Sequence, residues 1–222
     1  MTNTNLRQIE DVWISAKDPA GFVVDGPKAD GLPTYQYDRI QACLRECGGR
    51  TRVAVDGGAH IGMWTMHLAK AFKEVVAFEP IPDNFECLQR NVAKHCTDPT
   101  HVVTLYRGAL SNKDGMIGLM QRGGKSYKWN VPLPGDNTPP SMSITCHKLD
   151  TLKLQHVDLI KLDVESHEFE TLQGAIETIQ RCKPVIMIEE KHDPAKRATK
   201  YLDSLGMKMV WSRKHDYLYV WG

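Results

Sequence analysis

The chain contains 222 residues, 41% of them hydrophobic, and its formal net charge at pH 7 is +1. A chain of this length fits a single domain with a sizeable core. The nearly balanced charge argues against an extended nucleic-acid surface and against attraction to an anionic membrane. No apolar run reaches the roughly 20 residues that a membrane helix needs, and the polar start lacks a signal-peptide core. We therefore expect one cytoplasmic domain over residues 1–222, without a membrane partner.

Strands and helices alternate along most of the chain. Residues 1–50 predict an irregular extension that ends in a helix, and residues 51–222 predict the catalytic core. The predicted core strands are residues 52–55, 75–78, 102–106, 116–121, 142–147, 157–162, 185–188, 207–211 and 217–221. The predicted core helices are residues 61–72, 83–95, 168–181 and 194–205.

This alternation predicts an α/β fold with a doubly wound, mostly parallel sheet and right-handed crossovers. A short polar link joins the last two strands, which predicts an antiparallel hairpin at the C-terminal end. Residues 122–140 are rich in glycine and proline, so we interpret them as a long loop and a candidate lid.

The first core strand runs into a glycine-rich turn. Residues 53–62 read V-A-V-D-G-G-A-H-I-G. Glycine lets a ligand approach the backbone closely, and ligands of open α/β sheets bind at the carboxyl ends of strands. The spacing differs from the dinucleotide fingerprint G-x-G-x-x-G, and the P-loop lysine is missing. The turn predicts a site for a nucleotide-like ligand, with these candidate binding residues: Asp56, Gly57, Gly58, Ala59, His60 and Gly62.

Two acidic residues follow successive strands of the predicted sheet. Asp56 would repel a pyrophosphate, but it suits the ammonium group of a methionine moiety, directly or through water. Glu79, followed by Pro80, can accept hydrogen bonds from both hydroxyls of a ribose. The pair therefore matches S-adenosylmethionine. The alternative is a sugar-phosphate or NAD enzyme with an unusual turn.

The motifs together resemble the FkbM-type methyltransferase family. The matching pieces span roughly residues 50 to 190. They are Asp56 to Gly62, Phe78 to Pro80, Asn91, Gly108 to Ser111, Ile160 to Glu165, Glu168, Leu172 to Ala175, Lys183-Pro184 and Glu189. The resemblance implies a class I methyltransferase (Rossmann-like) fold and S-adenosylmethionine as cofactor. It also implies methylation of hydroxyl oxygens on sugars, polyketides and other natural products.

The resemblance gives a role to a third turn and is broken at two positions. It implies that Gly108, Ala109 and Leu110 offer backbone groups to the adenine edge, although ordinary turn chemistry predicts the same residues. Ser166 stands where the family usually has glycine, and His60 stands where it usually has asparagine. Both positions lie beside the expected active site, so they leave the substrate open but not the cofactor.

The fourth core strand ends in several charged residues. Alternation places Lys161, Asp163 and Glu165 on one side if the strand continues. Unpaired buried charges are costly, so we expect Asp163 and Glu165 to be catalytic, orienting the acceptor hydroxyl. Asp163 is also a candidate for cofactor binding. Lys161 is expected to pair with a carboxylate, and Glu168 to begin the next helix.

Histidines offer candidate general bases for the acceptor proton. His167 and His192 have the near-neutral pKa that this role favours, although His167 could equally be a solvated neighbour of a helix start. The oxygen and nitrogen atoms of Asp163, Glu165, Glu189 and His192 could together hold a magnesium ion.

The sequence does not identify the acceptor. We expect a small-molecule or glycan substrate that contacts residues 1–32 and 122–140. Residues 163–165 read Asp-Val-Glu where DNA amino-methyltransferases usually have Asp/Asn-Pro-Pro-aromatic. The alternatives are an RNA or nucleotide ribose methyltransferase, or a non-catalytic binding protein on a decayed methyltransferase fold. The oligomeric state is not indicated.

Overall fold

A computed structural model describes residues 5–16, 27–122, 128–130 and 139–222. The strands in these ranges are β1 (Leu6–Ile9), β2 (Val12–Ser15), β3 (Lys28–Ala29), β4 (Leu32–Pro33), β5 (Val53–Gly57), β6 (Glu74–Phe78), β7 (Val102–Tyr106), β8 (Ala109–Leu110), β9 (Gly115–Arg122), β10 (Lys128–Asn130), β11 (Met142–His147), β12 (Leu159–Leu162), β13 (Val185–Glu189), β14 (Met207–Arg213) and β15 (Asp216–Trp221). The helices are α1 (Tyr37–Cys47), α2 (Met63–Ala71), α3 (Pro82–His95), α4 (Glu168–Gln173), α5 (Ile176–Cys182) and α6 (Arg197–Ser204), and Leu149–Leu152 form a 3₁₀ turn.

The central sheet has the strand order β14-β15-β13-β12-β5-β6-β7. The five strands from β13 to β7 are parallel, and β15 is antiparallel to both of its neighbours. This confirms the expected doubly wound sheet with a C-terminal antiparallel hairpin. The strand order reverses between β5 and β12, which opens a crevice at their carboxyl ends.

Both faces of the central sheet are covered by helices. Val55 and Ile160 belong to the apolar layer that includes α5 and α6. Ala54 and Leu159 belong to the opposite layer, with α1 and α2. Parallel strands buried on both faces read as continuous apolar runs, which is why they were legible in the sequence. Within the described residues, no helix has the length and apolar character needed to cross a membrane.

A second, smaller sheet follows the order β10-β9-β11-β8. The antiparallel pair β9 and β11 confirms the expected added strands. The expectation of a turn at Ala109 and Leu110 is wrong, because these residues pair in parallel with β11 as strand β8. A Cβ on Gly108 would lie 2.9 Å from the carbonyl oxygen of Thr145, so glycine permits this close pairing.

The expected loop over residues 122–140 is wrong in one part. Lys128–Asn130 form β10, which pairs antiparallel with β9. The rest of the candidate lid, residues 123–127 and 131–138, lies outside the described residues.

The amino-terminal extension is more ordered than its composition predicts. β1 pairs with β2 and β3 pairs with β4, both antiparallel. Asn91 of α3 fixes the first hairpin: its Oδ1 accepts from the Trp13 amide at 2.7 Å, and its Nδ2 donates to the carbonyls of Trp13 and Ile61 at 3.0 and 2.7 Å. This side chain therefore connects the hairpin to the end of the glycine-rich turn.

The single helix expected over residues 168–181 is wrong, because the chain divides it into α4 and α5. A Cβ on Gly174 would lie 1.9 Å from the carbonyl oxygen of Ser111. Asp150 accepts hydrogen bonds from the amides of Glu177 and Thr178 at 3.1 and 2.8 Å, which restarts the helix after the break. Both contacts come from distant parts of the chain.

We predict that Gly174→Ala destabilises the fold by about 2 to 3 kcal/mol, because the added methyl overlaps backbone that cannot move aside. Gly206→Ala is the control, since its φ of 82° is unfavourable for alanine but nothing lies within 4 Å of the added Cβ. It should cost about 1 kcal/mol. Urea unfolding compares the two, and equal losses would contradict the steric argument.

Candidate active site

Acidic side chains gather at the carboxyl ends of four neighbouring parallel strands. Asp56 lies in β5, Glu79 follows β6, Asp163 follows β12, and Glu189 ends β13. The ends of β5 and β12 are the point where the strand order reverses. The sheet topology thus gathers residues from positions 56 to 189 around one crevice.

Asp56 and Lys161 form a buried ion pair at the floor of the crevice. Asp56 is 0% exposed and Lys161 is 4% exposed. Lys161 Nζ donates to Asp56 Oδ1 at 2.9 Å, and Thr65 Oγ1 donates to Asp56 Oδ2 at 2.6 Å. The expected pairing of Lys161 with a carboxylate is confirmed. Both oxygens of Asp56 accept from the protein, which differs from the exposed acid expected for direct contact with an ammonium group.

The glycine-rich turn is held against the two neighbouring strands. The amides of Gly58 and Ala59 both donate to the carbonyl oxygen of Phe78, at 3.0 and 2.9 Å. Gly58 has a φ of 76°, and a Cβ there would lie 1.9 Å from the carbonyl oxygen of Asp163. Gly62 has a φ of 95° and caps the start of α2. Positions 58 and 62 therefore require glycine because of the geometry of the protein's own backbone, whether or not a ligand is bound.

Glu79 connects the glycine-rich turn to the loop before α3. Its Oε2 accepts from the amide of His60, and its Oε1 accepts from the amide of Ile81, both at 2.8 Å. Burial raises the pKa of Glu79. The side chain of Asn84 is a third hydrogen-bond partner of Glu79. Two carboxylate oxygens offer about four acceptor positions, so Glu79 retains one. Pro80, which follows it, is half-buried.

The turn after β12 departs from the expected extended geometry. The strand ends at Leu162, and Glu165 and Ser166 have φ values of 51° and 81°. The expectation that Lys161, Asp163 and Glu165 share one side of a continuing strand is therefore wrong. A positive φ also accounts for the glycine that the resemblance leads one to expect at position 166.

Glu168 stabilises this turn from below. As expected, it begins α4, and its Oε1 also accepts from the amide of Val164 at 3.1 Å. Burial raises its pKa well above the ordinary value. The carboxyl group therefore closes the turn between β12 and α4.

His167 is a buried packing residue in this structure. Its Nε2 lies 2.9 Å from Ser111 Oγ, and its Nδ1 lies 3.5 Å from Glu170 Oε2. Burial lowers its pKa, which favours the neutral ring. Both ring nitrogens face protein side chains, so the geometry does not support the expectation that His167 is the general base.

Asp163 and Glu189 form a hydrogen-bonded carboxyl pair. Burial, the charge of Asp163 and this hydrogen bond raise the pKa of Glu189 to about 8. Two carboxyl groups in contact cannot both ionise cheaply, so near neutral pH the pair holds one proton. The pair is half-buried and reaches the crevice.

Glu165 and His192 form a second, more exposed pair. Glu165 Oε2 lies 3.9 Å from His192 Nε2. The four candidate metal ligands are thus arranged as two pairs. Across the described ranges, no group of three or more His, Cys, Asp or Glu residues could hold a metal ion.

Tyr35 is a residue of the crevice that the sequence did not indicate. Burial and the neighbouring carboxylates of Asp163 and Glu189 raise its pKa to about 12. The side chain is nevertheless 38% exposed, which is unusual for a large aromatic residue. Gln36 holds this segment, since its Oε1 accepts from Trp64 Nε1 at 2.7 Å. No periodicity marks the segment, so only the fold reveals the proximity.

Comparison with known proteins identifies the family. Residues 56–219 match the Methyltransferase FkbM domain. The chain belongs to this family. The match begins at Asp56 and extends into β15, so it includes all four acidic strand ends of the crevice.

Relatives of this FkbM-domain chain are distant in sequence. Methyltransferase 1 of Beauveria bassiana is 27% identical in an alignment 144 residues long, and the match covers 54% of this chain and 57% of that protein. Methyltransferase sdnD of Sordaria araneosa is 27% identical in an alignment 157 residues long, and the match covers 55% of this chain and 60% of that protein. The matched regions thus span less than two thirds of either relative.

A solved structure shows the same fold. Methyltransferase FkbM from Methylobacillus flagellatus KT superimposes with a TM-score of 0.57 at 22% identity. The superposition covers 77% of this chain and 44% of that chain. The fold is therefore the class I, Rossmann-like methyltransferase fold that the sequence predicted.

We predict that Glu189→Gln stabilises the fold increasingly as the pH rises from 4.5 to 8. Below its ordinary pKa of 4.5, Glu189 is protonated in both the folded and the unfolded chain. Above it, the unfolded chain ionises while the folded chain keeps the proton up to about pH 8, so the wild type loses stability. The gain should reach roughly 1 to 3 kcal/mol at pH 9.

Urea unfolding across this pH range measures the difference from the wild type. Glu46→Gln is the control, because Glu46 is exposed on α1. A difference between Glu189→Gln and the wild type that does not change with pH would contradict the raised pKa.

Proposed function

We propose that this protein transfers a methyl group from S-adenosylmethionine to a hydroxyl oxygen of a sugar or small natural-product acceptor. The observation that carries the proposal is the half-buried carboxyl pair of Asp163 and Glu189, which reaches the crevice beside the glycine-rich turn. When bound, the cofactor supplies an activated methyl group on a sulfonium. The chain then has to position an acceptor oxygen in line with it and take up a proton.

The residues of the crevice fit this cofactor. Glu79 keeps an acceptor position beyond its contacts with His60, Ile81 and Asn84, which suits a ribose hydroxyl. Asp56 would contribute through water, because its side chain is fully buried and its oxygens already accept from Thr65 and Lys161. The other residues proposed to hold the cofactor are Gly57, Gly58, Ala59, His60, Gly62, Pro80, Gly108, Ala109, Leu110 and Asp163.

The acceptor would lie over the carboxyl pair. The shared proton lies on Glu189 or on Asp163. In either case one oxygen of the pair can accept a hydrogen bond from the acceptor hydroxyl. Glu165 and His192 lie at the exposed edge, where His192 is the remaining histidine candidate for taking up the proton. Tyr35 would pack against an apolar face of the acceptor.

The acidic edge also bears on the alternatives. Asp163, Glu165 and Glu189 would repel the phosphates of an RNA or nucleotide, so we place a ribose acceptor second. A carboxyl pair that shares one proton suits proton transfer, which a non-catalytic binding protein would not need. The two-pair arrangement does not fit a magnesium ion.

We predict that S-adenosylhomocysteine binds with micromolar affinity and that Glu79→Ala weakens binding by about 10- to 100-fold. The reason is the loss of charge-assisted hydrogen bonds worth roughly 1 to 3 kcal/mol. Glu74→Ala is a matched control, because Glu74 lies at the opposite end of the same strand. Calorimetry measures both affinities, and thermal unfolding verifies that each variant is folded. Unchanged affinity in Glu79→Ala would remove the ribose assignment.

The reaction is tested by offering labelled cofactor to a panel of glycans, small polyols, nucleotides, RNA and protein. We expect label on a hydroxyl oxygen, mapped by mass spectrometry, and a loss of about 10²- to 10⁴-fold in the rate for the general base variant, His192→Gln. Affinity for S-adenosylhomocysteine should be unchanged in that variant. Label on a base nitrogen or a protein amine would contradict O-methylation. A parallel assay in excess chelator tests whether the reaction needs a metal ion. Lost turnover with intact cofactor binding would show that it does.

A further inference from the structure

Lys161 is a buried cation to which neither the cofactor contacts nor the acceptor chemistry assigns a task. It lies in the middle of the central sheet, in register with Asp56 on the adjacent strand. With 4% of its surface exposed, it cannot reach an acceptor from this position. A buried lysine is costly unless its charge and its donors are all matched, so its partners define what it does.

All three donor positions of the ammonium group point at the end of β5. Lys161 Nζ donates to Asp56 Oδ1 at 2.9 Å, to the carbonyl oxygen of Gly58 at 2.8 Å and to the carbonyl oxygen of Gly57 at 3.3 Å. An ammonium group has three N–H donors, so these contacts use its full capacity. Two of them fix peptide planes rather than a charge.

The same peptides are held from the opposite side. The amides of Gly58 and Ala59 donate to the carbonyl oxygen of Phe78 in β6. Consecutive glycines have the freest backbone of any residues, and they offer no side chain by which the fold could hold them. Lys161 on one side and Phe78 on the other therefore supply the restraint that the sequence of the turn lacks.

The helix α2 limits the movement of the ammonium group. The ring of Trp64 lies 5.9 Å from Lys161 Nζ, in cation–π range. Thr65 holds the other oxygen of Asp56 at 2.6 Å. Trp64, Thr65 and the carbonyl groups of the turn therefore restrain the pair of Lys161 and Asp56. A lysine that is restrained in this way can hold the backbone of the turn in one geometry.

We infer that Lys161 is a positioning residue that holds the Gly57 and Gly58 carbonyls, and so keeps the glycine-rich turn in the shape that receives the methionine part of the cofactor. The inference rests on the proposed function for its ligand. It differs from simple neutralisation of Asp56, because neutralisation requires only a charge whereas positioning requires the two carbonyl contacts.

Calorimetry with S-adenosylhomocysteine separates these two roles. The variants are Lys161→Met, Asp56→Asn and the double variant, with Lys208→Met on β14 as an exposed control. The double variant contains no unpaired buried charge, so it should fold even where Lys161→Met does not. We expect it to bind at least about 10-fold more weakly than Asp56→Asn alone. Equal affinity of these two variants would overturn the positioning role in favour of neutralisation.

Hydrogen exchange without ligand provides the second measurement. The amides of residues 57–60 should exchange at least about 10-fold faster in the double variant than in Asp56→Asn, because the turn opens locally. Unchanged protection would overturn the inference whatever the cofactor is. If the wild type fails to bind S-adenosylhomocysteine, the proposed function fails instead, and the exchange experiment still decides the role of Lys161.

Discussion

The buried ion pair between Lys161 and Asp56 joins the carboxyl ends of β5 and β12, and the crevice exists where those ends separate. Taking two charges out of water costs several kcal/mol each, and their attraction repays this only with good geometry and further hydrogen bonds. Thr65 and the carbonyl of Gly58 supply those bonds. Because β5 and β12 are central strands, the position of every neighbouring strand end is set relative to this pair.

Apart from the ion-paired Asp56, the carboxyl groups around the crevice divide by burial into two kinds. Glu79 and Glu168 are buried, and they accept hydrogen bonds from the backbone amides of turns. Asp163, Glu165 and Glu189 are half-buried and interact with one another or with a histidine. The first kind fixes loop shape and the second kind faces what enters. The same residue type therefore fixes loop shape where it is buried and lines the crevice where it is half-buried.

The sequence predicted what depends on local pattern and missed what depends on distant contacts. The parallel strands and the C-terminal hairpin were legible because buried strands are continuous apolar runs. The break at Gly174 depends on the backbone of Ser111, and the burial of His167 depends on the hydroxyl of the same residue. Tyr35 lies in a segment without periodicity, so nothing local connected it to Asp163.

The hydrogen bonds of the Asn91 carboxamide determine which substitutions this position can accept. It presents one acceptor to an amide and two donors to carbonyl oxygens, and it is fully buried. Aspartate has nearly the same shape but would set negative charge against two carbonyls, and leucine would leave three backbone groups unpaired. Tolerance at this position is thus decided by hydrogen-bond polarity rather than by volume.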